Sequence, residues 1–373
     1  MKKHKVLIIP NAEITKVNDD FAVEKNTGEF AKELQDLGSE VTLYGQIMDE
    51  PNNIHVYKLN KHGLKVEGLY RKSNKILNYI LLYLRVIPEI VKSDFIYIFY
   101  PTAFKYIAFI CNILGKKYGL YVRGVDDMQG KVPSLIYKKA AVAFCVADYF
   151  TDNINTIVGK KIAYTMRPMI TLTENDIIED RVYTKKDTYK VLYLGRMTND
   201  KGIIELLNAV SELKHLQHKL HVDLVGDGEY FEELKKIADD LNINDMVSFK
   251  GATFDTQEIK SYFLNSDIYI LPSYHEGFPR TIYEAMIYGT PIITTFVGGI
   301  PSLMKDGKNC LEIEPKSAES IVLSLKKIFD NYDQFSLLAK EATKTVSNLL
   351  ETRKYSHAMD VHRYLNNPSK KLI

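Results

Sequence analysis

The stretch Asp267–Cys310 constrains the chain more than any other. Ile268 to Leu271 is a short apolar run of β-formers, the pattern of a strand buried on both faces. A polar, Gly/Pro-containing turn from Ser273 to Pro279 follows, and Pro279 suits the first turn of a helix. Ile282, Ala285 and Met286 repeat at helical spacing, Gly289 stands where a left-handed cap belongs, and Pro291 bars continuation. Ile292 to Thr295 reads as the next strand, and Gly298-Gly299-Ile300-Pro301 is expected to open another helix. Strand, loop and helix, repeated, predict a parallel sheet, and such sheets bind ligands at the carboxyl ends of their strands.

Two glutamates mark the first loop and helix, Glu276 before the helix and Glu284 within it. The helix start leaves the N–H groups of Arg280, Thr281 and Ile282 without intrahelical acceptors, an anion site. Carboxylates repel a bare phosphate there. They accept hydrogen bonds, however, from hydroxyls of a ligand whose phosphates lie at the helix end. A nucleotide-sugar has that pattern, with hydroxyls at both ends and a diphosphate between. Taken singly, each glutamate is equally an ordinary loop residue or a helix-start residue favoured by the macrodipole.

At 373 residues the chain suits two domains. Its hydrophobic (46%) and charged (26%) fractions are globular, and a formal charge of +2 argues against nucleic acid as a partner. Cys111, Cys145 and Cys310 are odd in number and lack C-x-x-C spacing, so they read as reduced thiols of a cytoplasmic protein. The apolar run Val6–Ile9 after the basic Met1–Lys5 is too short for a signal peptide. Asp126-Asp127 is not a D-x-D motif and no His or Cys has metal-ligand spacing, so no metal is expected.

Along the chain, Lys5–Pro10 reads as a buried strand, Asn11–Thr27 as a long polar loop, and Gly28 leads into a helix. Val41–Tyr44 is the second strand, Lys75–Lys92 a helix broken by Pro88, Phe95–Pro101 a strand and Ala103–Leu114 a helix. Phe95–Leu114 holds one charge, Lys105, but Pro101 inside it favours a strand and a helix over a membrane span. Leu120–Gly124 is a strand end, and Ala140–Asn153 fits a strand and a helix start or one buried helix. Periodicity fades over Thr165–Thr188, the expected junction. A second alternating pattern follows: strands at Val191–Leu194, Val222–Val225 and Met246–Lys250, then Leu311–Ile313 after the central stretch. The helices expected there are Ile203–Leu216, one from Tyr230, Gln257–Asn265 and Ser317–Tyr332, with a helical tail over Glu351–Asn366.

The run EGFPRTIYEAMIYGTPIITTFVGGIP resembles the signature of retaining glycosyltransferases of family 4, the group 1 transferases. The resemblance covers most of 189–345 and, more weakly, the N-terminal half. It implies the α/β GT-B fold, two doubly wound Rossmann-like domains facing a central cleft. Residues 1–168 would form the acceptor-binding domain, completed by a C-terminal helix at 346–373, and 169–345 the nucleotide-sugar domain. Arg196 and Lys201 stand at the family's G-R-x-x-x-x-K-G loop, where two cations stabilise charge on the departing diphosphate. Glu284 is assigned to ribose hydroxyls, Glu276 to hydroxyls of the donor sugar, and the backbone of Phe278, Pro279, Arg280 and Thr281 to the diphosphate. Gly226, Gly228, Lys250 and Gly251 would border the base, and the Gly28 backbone would approach phosphate.

Three positions depart from the family pattern. Gly28 is single where a Gly-Gly pair is usual, Ser302 stands where Glu often follows, and Arg123 fills a His slot. Arg123 stays protonated and cannot serve as a base. It would hold a phosphate, an anionic sugar or an acidic acceptor, or else bridge Asp126 or Asp127 structurally.

The expected activity is transfer of a hexose, with retention, from a nucleoside-diphosphate sugar to a sugar or lipid-linked acceptor in cell-surface polysaccharide synthesis. Neither cofactor nor metal is needed. A nucleotide-sugar epimerase, a sugar phosphorylase or a non-catalytic nucleotide-sugar-binding subunit are the alternatives. Between Lys58 and Arg123, twelve cations face three acids, Glu67, Glu89 and Asp94, a net charge of 12 − 3 = +9. That surface fits an anionic inner leaflet, and equally a solvated basic face over core helices.

Overall fold

A computed structural model describes residues 3–49, 55–124, 130–167, 170, 172–215 and 220–368. The chain divides into two compact units, Met1–Ile170 with Arg353–Ile373, and Thr171–Thr352.

The first unit runs β1 (Lys5–Ile9), β2 (Ile14–Val17), β3 (Asp20–Val23), α1 (Lys25–Asp36), β4 (Glu40–Met48), β5 (Tyr57–Lys58), β6 (Lys65–Tyr70) and α2 (Lys75–Lys92). It continues with β7 (Phe95–Tyr100), α3 (Ile107–Ile113), β8 (Tyr118–Val122), α4 (Lys131–Lys139), β9 (Val142–Cys145), α5 (Asp148–Val158) and β10 (Ala163–Thr165). The sheet order is β10-β9-β8-β7-β1-β4-β2-β3-β5, with β6 also paired to β4. Strands β6, β4, β1, β7, β8, β9 and β10 are mutually parallel. The winding therefore reverses between β1 and β7, as in doubly wound sheets. All of Phe95–Tyr100 is buried, which is why it carries no polar alternation.

Three expectations fail locally. Residues 11–27 are not a loop: β2 and β3 pair antiparallel there, and α1 starts at Lys25. These strands have four residues each and no sustained apolar run, so periodicity passes over them. The Asp20 carboxylate fixes their turn by accepting the N–H groups of Phe21 (2.6 Å), Asn60 (2.7 Å) and Lys61 (3.0 Å). Helix α2 continues through Pro88. Leu84, four residues earlier, is exposed, so water can satisfy the carbonyl that Pro88 leaves without a donor. Finally, Gly298–Pro301 opens only a 3-10 turn, Ile300–Ser302.

The second unit runs β11 (Tyr189–Leu194), α6 (Ile203–His215), β12 (Leu220–Val225), α7 (Phe231–Asp240), β13 (Val247–Gly251) and α8 (Thr256–Asn265). It ends with β14 (Ile268–Leu271), α9 (Arg280–Ile287), β15 (Ile292–Thr295), β16 (Leu311–Ile313), α10 (Ala318–Asp330) and α11 (Tyr332–Thr352). Its sheet is parallel throughout, in the order β13-β12-β11-β14-β15-β16. The connecting segment is pinned to this unit by Arg181. Its guanidinium donates to the carbonyls of Phe263 (3.1 Å) and Tyr288 (2.9 Å) and to Thr290 Oγ1 (2.8 Å), satisfying acceptors at the ends of α8 and α9. Because α11 is continuous to Thr352, residues 346–352 lie in the second unit and not with the tail.

The tail helix α12 (His357–Asn366) completes the first unit by packing on α1. Its first residue, His357, is buried in an aromatic cluster, stacked on Phe30 at 4.3 Å and hydrogen-bonded through Nε2 to the Tyr97 hydroxyl at 2.5 Å. Burial lowers its pKa to about 3. Among the described residues no helix is long and apolar enough to cross a membrane.

The buried imidazole generates a pH prediction. An unfolded histidine titrates near 6.5, so between about pH 6.5 and 3 the unfolded chain binds the extra proton and stability rises with pH. Acidifying from pH 6.5 to 4.5 should cost about 2–3 kcal/mol from this group, with no contribution above 6.5. Denaturant unfolding of wild type and His357→Phe at several pH values should show a shallower acid slope in the variant. Parallel slopes would refute the assignment.

Candidate functional site

The winding of the second sheet reverses between β11 and β14, and the loops leaving these two strands meet at their carboxyl ends. The β11 loop carries Arg196 and Lys201; the β14 loop carries Glu276. Lys201 is buried at 7% exposure, and its ammonium reaches Glu276 Oε1 at 2.8 Å, Asp200 Oδ2 at 3.2 Å and the His275 carbonyl at 3.4 Å. The Ser273 hydroxyl donates to the same Glu276 oxygen at 2.8 Å. A buried ammonium requires this compensation, since an isolated one would be strongly penalised. Burial pushes the Asp200 pKa up, but the Thr198 hydroxyl and Lys201 outweigh it, leaving the group below its usual value.

Each loop is held by a tyrosine from its own strand. The buried Tyr193 of β11 donates to the Arg196 carbonyl at 2.7 Å, leaving the exposed Arg196 side chain facing solvent. The buried Tyr269 of β14 donates to Thr281 Oγ1 at 2.5 Å, fixing the first turn of α9. Burial raises both phenol pKa values far above normal, so both remain donors at physiological pH. Tyr274 links the loops again: its N–H donates to the Asp200 carbonyl at 2.8 Å and its hydroxyl to Glu205 of α6. Sequence reading missed Ser273, Tyr193, Tyr269 and Tyr274. Their partners come from turns or distant elements, and no local pattern announces them.

Pro279 caps α9 and is not its first residue, and no side chain caps the helix. The Ile282 N–H turns back to the Pro279 carbonyl at 3.2 Å. This corrects the expectation of three free groups: Arg280 and Thr281 keep unpaired N–H groups among the described residues, and Ile282 does not. Phe278 packs on Tyr283 at 4.6 Å, and the Arg280 side chain is exposed. One turn on, Glu284 is only partly exposed, and burial raises its carboxyl pKa to about 7 against the opposing pull of Arg280.

Two glycines allow the loops to approach. Gly298 has φ +60°, and a Cβ there would overlap the Glu276 carbonyl oxygen; next to it the Gly299 N–H donates to Gly277 at 2.7 Å. Gly226 has φ +149°, and a Cβ there would overlap the Gly195 carbonyl, while Gly228 lies against the Met197 carbonyl. The Gly226–Gly228 turn thus packs on the Arg196 loop, with the Met197 N–H donating to Asp227 O at 2.9 Å. Gly251 faces open space, and Lys250 pairs with Asp223 at 3.2 Å. Ser302 donates to the Gly299 carbonyl at 2.6 Å.

Two other candidates lie in the first unit. Gly28 is inside α1 with its N–H donated to Glu24 O at 3.1 Å, and the Tyr57 ring fills the space a Cβ would take. Its close approach is therefore to a side chain of the same unit, because α1 starts before it rather than after it. Arg123 follows β8, partly exposed, 4.0 Å from Glu24 and over the Tyr121 ring at 6.0 Å. Asp126 and Asp127 lie outside the described residues. Among the described residues no group of three or more His, Cys, Asp or Glu is placed to hold a metal ion.

Two doubly wound α/β units, their strands parallel except for β3, have the GT-B architecture of the solved structures they superpose on. Residues 175–345, nearly all of the second unit, match the family model described as Glycosyl transferases group 1. Across 98% of this chain, the fold superposes on 99% of Anabaena Alr3699/HepE, solved in complex with UDP and glucose, with a TM-score of 0.70 at 16% identity. Protein CapJ of Staphylococcus aureus is 26% identical over 331 residues, 83% of this chain and 78% of that protein. The lipopolysaccharide core biosynthesis glycosyltransferase LpsE of Rhizobium meliloti is 29% identical over 163 residues, 44% of this chain. In that match the chain spans about half the relative's length, 46%.

The contact of Gly298 with the Glu276 loop is testable apart from any assay of function. Gly298→Ala forces a left-handed residue and a steric overlap together, and should cost on the order of 1–3 kcal/mol. Thermal unfolding should fall by several degrees, while Gly307→Ala, with open space at its Cβ position, should fall less. Equal effects would show that the loop contact does not constrain Glu276.

Proposed function

We propose that the protein is a retaining hexosyltransferase of family 4 that moves a hexose from a nucleoside-diphosphate sugar to a sugar or lipid-linked sugar acceptor during cell-surface polysaccharide synthesis. The observation that carries this reading is the Lys201–Glu276 pair at the point where the second sheet reverses. The group 1 match, the UDP and glucose in the HepE structure and the name of LpsE support it.

In this reading the diphosphate lies along the start of α9, on the N–H groups of Arg280 and Thr281 and the backbone of Phe278 and Pro279, and Lys201 turns from Glu276 to it. Arg196, already facing solvent, is the second cation. Glu276, released from Lys201 but still held by Ser273, accepts hydroxyls of the sugar. Glu284 accepts ribose hydroxyls, and Gly226, Gly228, Lys250 and Gly251 border the base. The anomeric C–O bond breaks toward the diphosphate, whose growing negative charge Lys201 and Arg196 stabilise. The acceptor oxygen forms its bond on the face the diphosphate leaves, and its proton passes to a phosphate oxygen. No cofactor or metal enters this scheme. Arg123 of the first unit meets an anionic group of a substrate, and a lipid-linked acceptor brings that unit to the cytoplasmic face of a membrane.

The direct experiment is incubation with a panel of nucleotide-sugars, with and without membrane extract and chelator, following nucleoside diphosphate release. Lys201→Ala should lower kcat by one to two orders of magnitude or more, with secondary structure retained. Unchanged turnover would sink the diphosphate assignment, and chelator-sensitive turnover restored by Mg²⁺ would overturn the metal-free scheme.

Glu284 supplies a pH test. Its carboxyl titrates at about 7 in the free protein, and ribose hydroxyls donate to its ionised form. Binding therefore favours proton loss, so donor Kd should fall as pH rises from about 6 to 7 and level above that. Glu284→Gln should bind more weakly with a flat profile. A pH-dependent Kd that persists in the variant would place the ribose elsewhere.

A further inference from the structure

Helix α2 is apolar on two opposite faces, and only one is covered. Asn78, Leu82, Val86 and Ile90 are buried at four-residue spacing. On the other side Ile76, Ile80 and Leu84 repeat at the same spacing with exposures of 75%, 51% and 57%, and Leu77 and Val91 are exposed beside them. A surface helix of a globular protein normally turns polar residues outward. Across the α2–α3 contact, α3 adds Ile113, 84% exposed. Charge here is mainly positive: the one acid of α2, Glu89, is paired with Lys92 at 2.7 Å. From Gly68 to Pro88 there are four cations, Arg71, Lys72, Lys75 and Arg85, and no acid. All four are exposed.

We infer that the exposed face of α2 is a docking surface for an anionic lipid bilayer, with Ile76, Ile80 and Leu84 entering the headgroup boundary and Lys72, Lys75 and Arg85 meeting lipid phosphates. Charge selects this occupant. A second copy seated on the same face would bring two sets of four cations together, while the one acid of each α2, Glu89, is already paired with Lys92. An anionic surface neutralises them while the apolar stripe leaves water. Since no described helix can span a membrane, the contact is in-plane, along the helix. The surface gives the proposed lipid-linked acceptor a physical route to the protein, but the contact itself does not depend on that reading.

The test is co-sedimentation of the full chain with vesicles of phosphatidylcholine alone or mixed with phosphatidylglycerol, without nucleotide-sugar. Wild type should partition onto the anionic vesicles only. Ile80→Ser combined with Leu84→Ser should lower partitioning by about tenfold or more, and Lys75→Gln combined with Arg85→Gln by several-fold. Added salt should weaken the wild type and affect the charge variant less. Both variants alter exposed residues and should keep wild-type thermal unfolding and wild-type release of nucleoside diphosphate in solution. Absence of wild-type partitioning, or equal partitioning of the apolar variant, overturns the inference. So does a dimer of wild type that the apolar substitutions dissociate, which gives the face to a second copy. Loss of the transferase reading would show as absent diphosphate release from every donor, with vesicle binding intact.

Discussion

The Lys201–Glu276 contact exists because two strands far apart in sequence lie side by side. β11 and β14 are neighbours only because the chain winds outward through β12 and β13, then returns past β11 to continue on its other side. Such a reversal, at the carboxyl ends of the strands, is where open α/β sheets bind ligands, and here the two loops meet at it. Lys201 and Glu276 are 75 residues apart yet meet at 2.8 Å. Much of the surrounding detail serves this meeting: Tyr193 and Tyr269 hold the two loops from below, Tyr274 ties them, and Gly298 lets a third loop press on Glu276.

What was legible in the sequence follows from how locally each feature is encoded. The strands β14 and β15 are apolar runs bounded by turn residues, and their ends match the expectation residue for residue. Helix α9 was legible because Pro279, the Ile282–Met286 spacing and Gly289 mark start, face and stop within a dozen residues. Strands β2, β3 and β5 were not, because they are short and lie at the far end of a sheet, where pairing with neighbours and not a strong apolar pattern defines them. The same limit applies at Gly28. A glycine before a helix suggests backbone meeting a ligand, but its actual neighbour, the Tyr57 ring, comes from a strand that periodicity does not reveal.

The tail illustrates a different limit. A helical pattern at the C-terminus says nothing about where the helix packs. His357 enters a cluster built from Phe30, Tyr97, Phe99, Tyr121 and Phe144, residues of one helix and three strands. The Tyr97 hydroxyl supplies a polar partner for the buried ring. The first unit is thus closed by the last helix of the chain, and its stability depends on residues more than two hundred positions away from the sheet they cover.

In the proposed reading, the charge arrangement of the site has a consequence for how a donor enters it. Lys201 is nearly sealed from water, and Glu276 and Asp200 supply its countercharge. An incoming anion must replace a carboxylate that already sits at hydrogen-bond distance, so its gain is the difference between two charge-assisted contacts and not the whole of one. That difference favours ligands that also give the displaced Glu276 something to accept. A bare diphosphate leaves it with Ser273 alone and near the phosphate charge, while a diphosphate carrying a hydroxyl-rich group offers it new donors. Glu284 is disposed differently: it has no basic partner within hydrogen-bond distance among the described residues, and burial holds it half protonated near neutrality. In the proposed reading, the pair at the sheet reversal thus favours a ligand with both anion and hydroxyls, and the separate carboxyl one helical turn along adds a second hydroxyl-accepting position.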